Sequence, residues 1–373
     1  METPNISYLT DIYFGYGTRK QLPGLLKKYN ISRPCVITDK GIINAGIMEL
    51  LDIKCEVIFD AVETNPTEAT TLAALDLYIE SGCDGIIAVG GGSSIDLAKC
   101  VALLVHHPAP LEQYAFLNNG QTKITSNFPP LLAVPTTAGS GSEIGRAALL
   151  TLKNGKKLAF LSEHLLPKAA ICDPELTIGM PPLLTAATGM DALSHCIEAF
   201  CSNRYNPVAD AIAIDGVERG FKNIIRATEN GQDREARQEM MLSSLHGGLA
   251  FQKSLGAVHS LSHPLGALTA RRLHHGTINA ILLPYVLNFN YSYCKEKMVL
   301  IADRLKIKDA YKLPYQFAQL NHKLGLPGRL REMGLTKKEL IPLAKAAKED
   351  HCTPSNPRPM EIEDFERLYA EAW

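Results

Sequence analysis

The stretch DGIIAVGGGSSIDLAKCVALLV (84–105) decides the architecture. Its first half, GIIAV, is a continuous apolar run of strand length, and glycines then break it. Its second half, SSIDLAKCVALLV, begins with two serines and carries apolar residues at helical spacing. Strand, glycine turn and helix in direct succession open a β–α–β crossover. The same alternation spreads outward on both sides. PCVITDKGI (34–42) reads as a strand entering a turn, KCEVIFDAV (54–62) as another strand, and NPTEATTLAALDLYIESG (65–82) as a helix with a polar start. PLLAVPTTAGSGSE (130–143) is a strand that breaks into a loop of small residues. Strands alternating with helices pair in parallel through crossovers. From GMPPLLTAATGMDAL onward the strand signal fades, and amphipathic helices run to Trp373. The expectation is an α/β domain with a Rossmann-like parallel sheet over residues 1–180. An all-helical domain follows over 181–373, with the Pro181-Pro182 pair at the boundary.

A chain of 373 residues is long enough for two such cores. With 46% hydrophobic and 21% charged residues, its balance is that of a soluble globular protein. A formal net charge of −1 gives no field to gather nucleic acid or an anionic membrane, and the basic runs are pairs only, such as Lys27-Lys28 and Lys337-Lys338. No segment approaches the roughly 18–20 apolar residues that span a bilayer. The N-terminus lacks the basic start and apolar stretch of a signal peptide. Nine cysteines, an odd number with no CxxC, read as reduced thiols. The expected setting is the cytoplasm, with no nucleic-acid or membrane partner.

Two residue pairs carry the chemistry. Asp191 and His195 lie four apart in AATGMDALSHCIEAF (186–200), and His259 and His263 lie four apart in GAVHSLSHPLGAL (256–268). His275 follows in LHHGTINAILLP (273–284). On a helix, residues four apart share a face, so each pair aims two donor atoms at one point. One carboxylate with two or three imidazoles is a ligand set for Fe(II) or Zn(II), with open positions left for a substrate. For Asp191 the competing reading is a carboxylate paired with a neighbouring base. His274 competes with His275, its chain neighbour, for the last ligand position.

The α/β half offers a phosphate cradle. GGGSSIDLAK (90–99) puts glycines between a strand and a helix start, where backbone approaches a phosphate closely and the N–H groups of the first turn face it. It is not the GxGxxG fingerprint, and a plain connecting turn has the same composition. Thr136, Thr137, Ser140 and Ser142 of PTTAGSGSE supply hydroxyls after the next strand. Asp39, directly after CVIT, is placed to accept from a ribose 2′-hydroxyl and to repel a 2′-phosphate, which favours NAD over NADP. Its bland reading is a turn initiator. A cleft between two such domains is where a dinucleotide from one meets a metal from the other.

Taken together, FG (14–15), ITDKGI, NPT, GGGSSIDLAK, PTTAGSGSE, DPELT, MPP, ATGMDALSHCIEAF, VHSLSHPLGA, HHGTINAILLP and NPRP (356–359) resemble the iron-containing alcohol dehydrogenases across nearly the whole chain. The resemblance implies a dehydroquinate synthase-like architecture, NAD, and a divalent metal, Fe(II) before Zn(II). It implies Asp191, His195, His259 and His275 as the metal ligands and His263 as a proton-relay residue. It places cofactor contacts at Asp39, Gly91, Gly92, Ser93, Thr136, Thr137 and Ser140, with Lys157 reaching the nicotinamide ribose and Leu176 packing near the base. EIGRAALL (143–150), KKLAFLSEHLLPKAAICDPELT (156–177) and AFQKSLGAVHSLSHPLG (250–266) look closest to the 4-hydroxybutyrate dehydrogenase branch. A substrate with an anionic tail needs a fixed cation some distance from its reacting oxygen. Arg146 and Lys253 are the candidates, ahead of the adjacent loop pair Arg271 and Arg272, because such pairs are usually solvated. The expected reaction interconverts a short ω-hydroxy acid and its semialdehyde, 4-hydroxybutyrate and succinate semialdehyde. Competing expectations are the same chemistry on neutral alcohols or diols, a lyase of the dehydroquinate synthase type, and a non-catalytic regulatory relative. By analogy the enzyme is a homodimer or larger.

Overall fold

The computed structural model describes residues 6–271 and 273–373. The chain forms two compact units. One comprises Tyr8–Thr137 and Ser142–Gly179. The other comprises Met180–Trp373 together with Ala138–Gly141 and the described N-terminal residues up to Ser7. The excursion of four small residues into the helical unit interrupts the first one, a detail that no composition shift announces.

The first unit holds a six-stranded parallel sheet. Its strands are β1 (Asp11–Phe14), β2 (Pro34–Ile37), β3 (Val57–Phe59), β4 (Gly85–Gly90), β5 (Leu131–Pro135) and, after a hairpin described below, β8 (Ala169–Cys172), in the order β1-β8-β5-β4-β2-β3. Helices α1 (Leu22–Lys28), α2 (Lys40–Asn44), α3 (Glu68–Glu80) and α4 (Gly92–His106) belong to the same unit. The two faces of the sheet are each apolar. Cys35, Ile37, Ile86, Ala88, Leu131 and Ala133 face Ala74, Tyr78, Ile95, Ala98 and Val101 of α3 and α4. Val36, Ile87, Val89, Leu132 and Val134 join Leu22, Leu25 and Leu51 on the other side. This double coverage is why the central strands read as unbroken apolar runs rather than alternating ones.

Strand β2 connects outward to β3, whereas β4 connects the opposite way to β5. The order therefore reverses between β2 and β4, the point at which open α/β sheets receive ligands. A second element was not expected from the sequence: β6 (Ala147–Thr151) and β7 (Lys157–Leu161) form an antiparallel hairpin closed at Asn154-Gly155.

The second unit is helical, as expected: α5 (Pro182–Cys201), α6 (Pro207–Glu229), α7 (Arg234–Ala250), α8 (Ala257–Gly266), α9 (His275–Asn290), α10 (Lys295–Arg304), α11 (Leu313–Lys323), α12 (Lys337–Leu340), α13 (Leu343–Glu349) and α14 (Ile362–Ala372). Helix α5 is its axis, buried from Thr185 to Cys201. No described helix is long and apolar enough to cross a membrane.

Candidate metal centre and nucleotide loops

Helix α5 presents Asp191 and His195 one turn apart, and α8 presents His259. Donor atoms of these three buried residues lie within 4.8 Å of one another. His275, the first residue of α9, closes the group, its Nε2 standing 3.7 Å from Asp191 Oδ1; His259 Nε2 is 3.8 Å from the same oxygen. His274 precedes the helix, and its Nδ1 lies 3.5 Å from the Thr277 hydroxyl instead. Gly276 permits the approach of α9 to α5: a Cβ there would stand 2.2 Å from the Ala187 carbonyl oxygen and 3.2 Å from Asp191 Cβ.

The surroundings act on the protonation of these groups in opposite directions. Burial pushes the His195 imidazole down to about 4, so it is neutral, and its Nδ1 lies 3.2 Å from the Gly139 carbonyl, an acceptor that leaves Nε2 unprotonated. Burial also opposes charge on His259, but the carboxylates of Glu198 and Asp191 outweigh it and raise its pKa. Asn279, one turn after His275, donates from Nδ2 to Asp191 Oδ1 at 2.7 Å and lies 3.2 and 3.0 Å from His259 Nε2 and His275 Nε2. Its Oδ1 is buried with no partner among the described residues. One carboxylate and three imidazoles converging on a buried point, with an amide N–H drawn into their midst, fit a divalent cation.

His263 stands beside this group. Its ring stacks on His275 at 5.6 Å and on His351 at 5.5 Å, each at 9° between planes. Its Nδ1 is 2.8 Å from Asp350 Oδ2. Burial pushes the His263 imidazole down to about 4, while Asp350 is held well below the usual carboxylate range by His263 and His351 despite its own burial. We read the pair as a neutral imidazole whose Nδ1–H donates to an ionised carboxylate.

In the α/β unit the expected nucleotide residues gather at the C-terminal ends of β2, β4 and β5. Asp39 caps α2, accepting from Ile42 N at 3.1 Å through Oδ1. Its Oδ2 faces the glycine turn, 3.7 Å from where a Cβ on Gly90 would lie. The turn-initiator role thus occupies Oδ1 and leaves Oδ2 toward the glycine turn. Gly90 has φ +147°, and a Cβ on it would meet Ser94 Oγ at 2.4 Å. A Cβ on Gly91 would come within 3.3 Å of Thr137, and Gly92 starts α4. Thr38 Oγ1, Ser94 Oγ and Thr136 Oγ1 are buried without hydrogen-bond partners among the described residues. A concave backbone with orphaned hydroxyls around it fits a dinucleotide's phosphates. Ser93 instead donates to the Thr64 carbonyl at 2.6 Å, and Lys157 Nζ donates to Asn65 Oδ1 at 3.1 Å, which puts both beside the same short segment. Ser140 lies in the Ala138–Gly141 segment that belongs to the helical unit.

Two of the expected residues are buried. Leu176 packs in the core with Val134, Ala169 and Ile171. Lys253 is not a free cation: its buried ammonium donates to Asp210 Oδ1 at 2.5 Å and to the Phe200 carbonyl at 3.2 Å. Arg146 opens the hairpin segment and stays partly exposed. Arg271 pairs with Glu339 at 2.7 Å, and Arg272 lies outside the described residues.

Sequence reasoning missed three sets of residues. Glu198, inside the quoted helix motif, takes His259 Nδ1 at 2.6 Å. Lys99 donates to the carbonyls of Ser142, Gly145 and Ala147, while Asp96 accepts from the Ser142 hydroxyl and Leu149 N, so the two polar residues of IDLAK pin the loop after β5. Asn356 of NPRP accepts from Ala257 N and Asn290 Nδ2, holding the start of α8.

Known proteins match this chain along nearly its whole length. Residues 10–174 match the model of the iron-containing alcohol dehydrogenases, and residues 185–373 that of the C-terminal part of the Fe-containing alcohol dehydrogenase family. The chain belongs to this family. It is 47% identical over 98% of its length to 4-hydroxybutyrate dehydrogenase of Cupriavidus necator, covering 99% of that protein. To the lactaldehyde reductase of Escherichia coli K12 it is 33% identical over 97% of each chain. Among solved structures, 1,3-propanediol oxidoreductase superposes with a TM-score of 0.91 at 33% identity over 99% of this chain and all of that one. A sulfoacetaldehyde reductase of Bifidobacterium kashiwanohense in complex with NAD+ gives 0.89 at 26% identity, covering all of this chain and 99% of that one. The protein is an alcohol oxidoreductase of that family, with its two-part fold.

Proposed function

We propose that this enzyme is an NAD-linked dehydrogenase interconverting 4-hydroxybutyrate and succinate semialdehyde. The observation that carries the reading is the 47% identity with a 4-hydroxybutyrate dehydrogenase over essentially both full lengths, against 33% for lactaldehyde reductase. Asp191, His195, His259 and His275 hold the divalent metal, Fe(II) ahead of Zn(II), and Asp39, Gly91, Gly92, Ser93, Thr136, Thr137, Ser140 and Lys157 receive the dinucleotide. When bound, the cation supplies Lewis acidity to the alcohol oxygen and NAD accepts the hydride.

The chain's own part is orientation and proton handling. His263 keeps Nδ1–H on Asp350, which leaves Nε2 as an acceptor for the hydroxyl proton. Asp350 then stabilises the imidazolium that forms, offsetting the burial that otherwise disfavours it. No covalent intermediate is required, so no serine or cysteine nucleophile is assigned. With Lys253 neutralised by Asp210, Arg146 is the residue we assign to the substrate carboxylate. The free cysteines support a cytoplasmic setting, and the family analogy supports at least a dimer.

The test is steady-state oxidation of 4-hydroxybutyrate, 1,3-propanediol and 1-butanol by the metal-loaded enzyme with NAD+. Expected is a preference for the hydroxy acid of 10-fold or more in kcat/KM, lost on Arg146→Gln through KM for the acid alone, since a charge-assisted pair is worth about 1.5–3 kcal/mol. Equal or better turnover of the neutral diol in wild type refutes the substrate. An equal change for acid and diol in Arg146→Gln refutes the anchor. Net NADH formation with any of these alcohols rules out the lyase.

A further inference from the structure

We propose that Glu198 is the positioning residue of the metal centre, fixing His259 in the tautomer whose Nε2 is free to bind a cation. The inference does not depend on which alcohol is the substrate. Asp191, His195 and Glu198 follow one another at intervals of four and three, so they line one face of α5. The Glu198 carboxylate, itself buried, accepts from Val258 N at 2.6 Å through Oε1 and from His259 Nδ1 at 2.6 Å through Oε2, with His259 N at 3.4 Å. A carboxylate ionised in this setting has only acceptors to offer. Nδ1 must therefore carry the proton, and the lone pair of the neutral ring falls on Nε2, the atom facing Asp191.

The same carboxylate caps a helix. Val258 and His259 are in the first turn of α8, where backbone N–H groups have no intrahelical acceptor. Gly256, the residue before that turn, has no side chain to serve them, and a Cβ there would stand 3.0 Å from Glu198 Oε1. One helix thus supplies the cap of another and, through it, sets both the entry of α8 and the rotation of the His259 ring. Carboxylate–imidazole–metal arrangements of this kind tune ligand basicity and orientation.

Glu198→Gln separates the two roles. The amide has one acceptor and one donor end. If its oxygen serves Val258 N, its NH2 confronts Nδ1, drives the proton to Nε2 and blocks ligation. If its oxygen serves Nδ1–H, its NH2 confronts Val258 N–H and loosens the helix start. The experiment uses the full chain stripped of metal. Zn(II) affinity is measured by competition with a chelator, His259 protonation by 15N-imidazole correlation assigned with His259→Gln, and NAD+ binding and thermal unfolding serve as controls. Expected are Nδ1–H in wild type, a shift toward Nε2–H in Glu198→Gln, a 10–100-fold weaker Zn(II) affinity and unchanged NAD+ binding. A Glu198→Gln protein that is merely less stable, with wild-type Zn(II) affinity, overturns the proposal. So does an Nε2–H signal for His259 in the wild-type protein, a result available even if the variant does not fold.

Discussion

Replacing Gly276 with alanine tests whether the metal centre depends on how closely α9 approaches α5. The added methyl would lie 2.2 Å from the Ala187 carbonyl oxygen and 2.8 Å from its carbon, both backbone atoms of a buried helix that cannot rotate away. Ordinary contact begins near 3.4 Å, so the start of α9 must retreat by about 1 Å. His275 is the preceding residue and moves with it. Metal–ligand distances tolerate only about 0.2 Å, so a retreat of this size removes the imidazole from a shared coordination sphere. Stability alone is a poor reporter here. Overpacking costs about 1–3 kcal/mol, while alanine in a helix returns up to about 1 kcal/mol relative to glycine. Metal content after equilibration with a chelator is the decisive assay, with Gly24→Ala as control because nothing lies within 4 Å of a Cβ at that helical glycine. Gly276→Ala is expected to lose metal by a factor of about 100 and to lose turnover with it, an effect at the upper end of outer-sphere substitutions. If it keeps wild-type metal content and unfolds like Gly24→Ala, the packing argument fails.

Two further outcomes follow from side chains that the function does not use directly. Lys253→Met is expected to destabilise the protein by about 2–3 kcal/mol, below the usual range for a broken buried pair because Asp210 keeps part of its hydration. It should move KM for 4-hydroxybutyrate and 1,3-propanediol alike; a loss confined to the acid would restore Lys253 to the substrate. Glu143, buried in the loop after β5, has its pKa pushed up to about 7 chiefly by burial, so between pH 4.5 and 7 the folded state holds a proton that the unfolded state has released. Its contribution is therefore largest below pH 4.5 and falls as pH rises through 7, by about 3 kcal/mol at most. Denaturant unfolding at pH 5 and pH 8 should accordingly show wild type losing stability relative to Glu143→Gln, and parallel pH curves for the two would contradict it.

The sequence made the central strands legible because β2, β4 and β5 are covered on both faces, which writes their burial as uninterrupted Val, Ile, Leu and Ala. The edge strand β1 and its neighbour β8 were not legible. DIYF is half exposed, and AAIC contains one β-branched residue, so neither carries a strand period. The hairpin β6–β7 was readable in principle from Asn154-Gly155, a strong two-residue turn signal, but KLAFL and AALLT fit a helix as well as a strand. In the metal centre, helical spacing paired Asp191 with His195 and His259 with His263, and only the family resemblance singled out His259 as the ligand of the second pair. The same spacing also contained Glu198, seven residues after Asp191, and Asn279, four after His275, which the reading passed over for want of a stated task. Lys253 shows the opposite limit. Whether its ammonium reaches toward a substrate or back to Asp210, 43 residues earlier, is a matter of tertiary packing that local pattern does not encode.

Helix α5 carries Asp191, His195 and Glu198 within two turns, and almost all of it is shielded from solvent. Such an arrangement separates what lineage can vary from what it must keep. On the proposed assignment of Arg146 to the substrate carboxylate, change in the segment around it would retune which alcohol is accepted, while the residues on α5 would be kept as one block. The same concentration makes that block fragile, since a single kink or shift of register along α5 would disable ligation, ring orientation and the entry of its neighbour together.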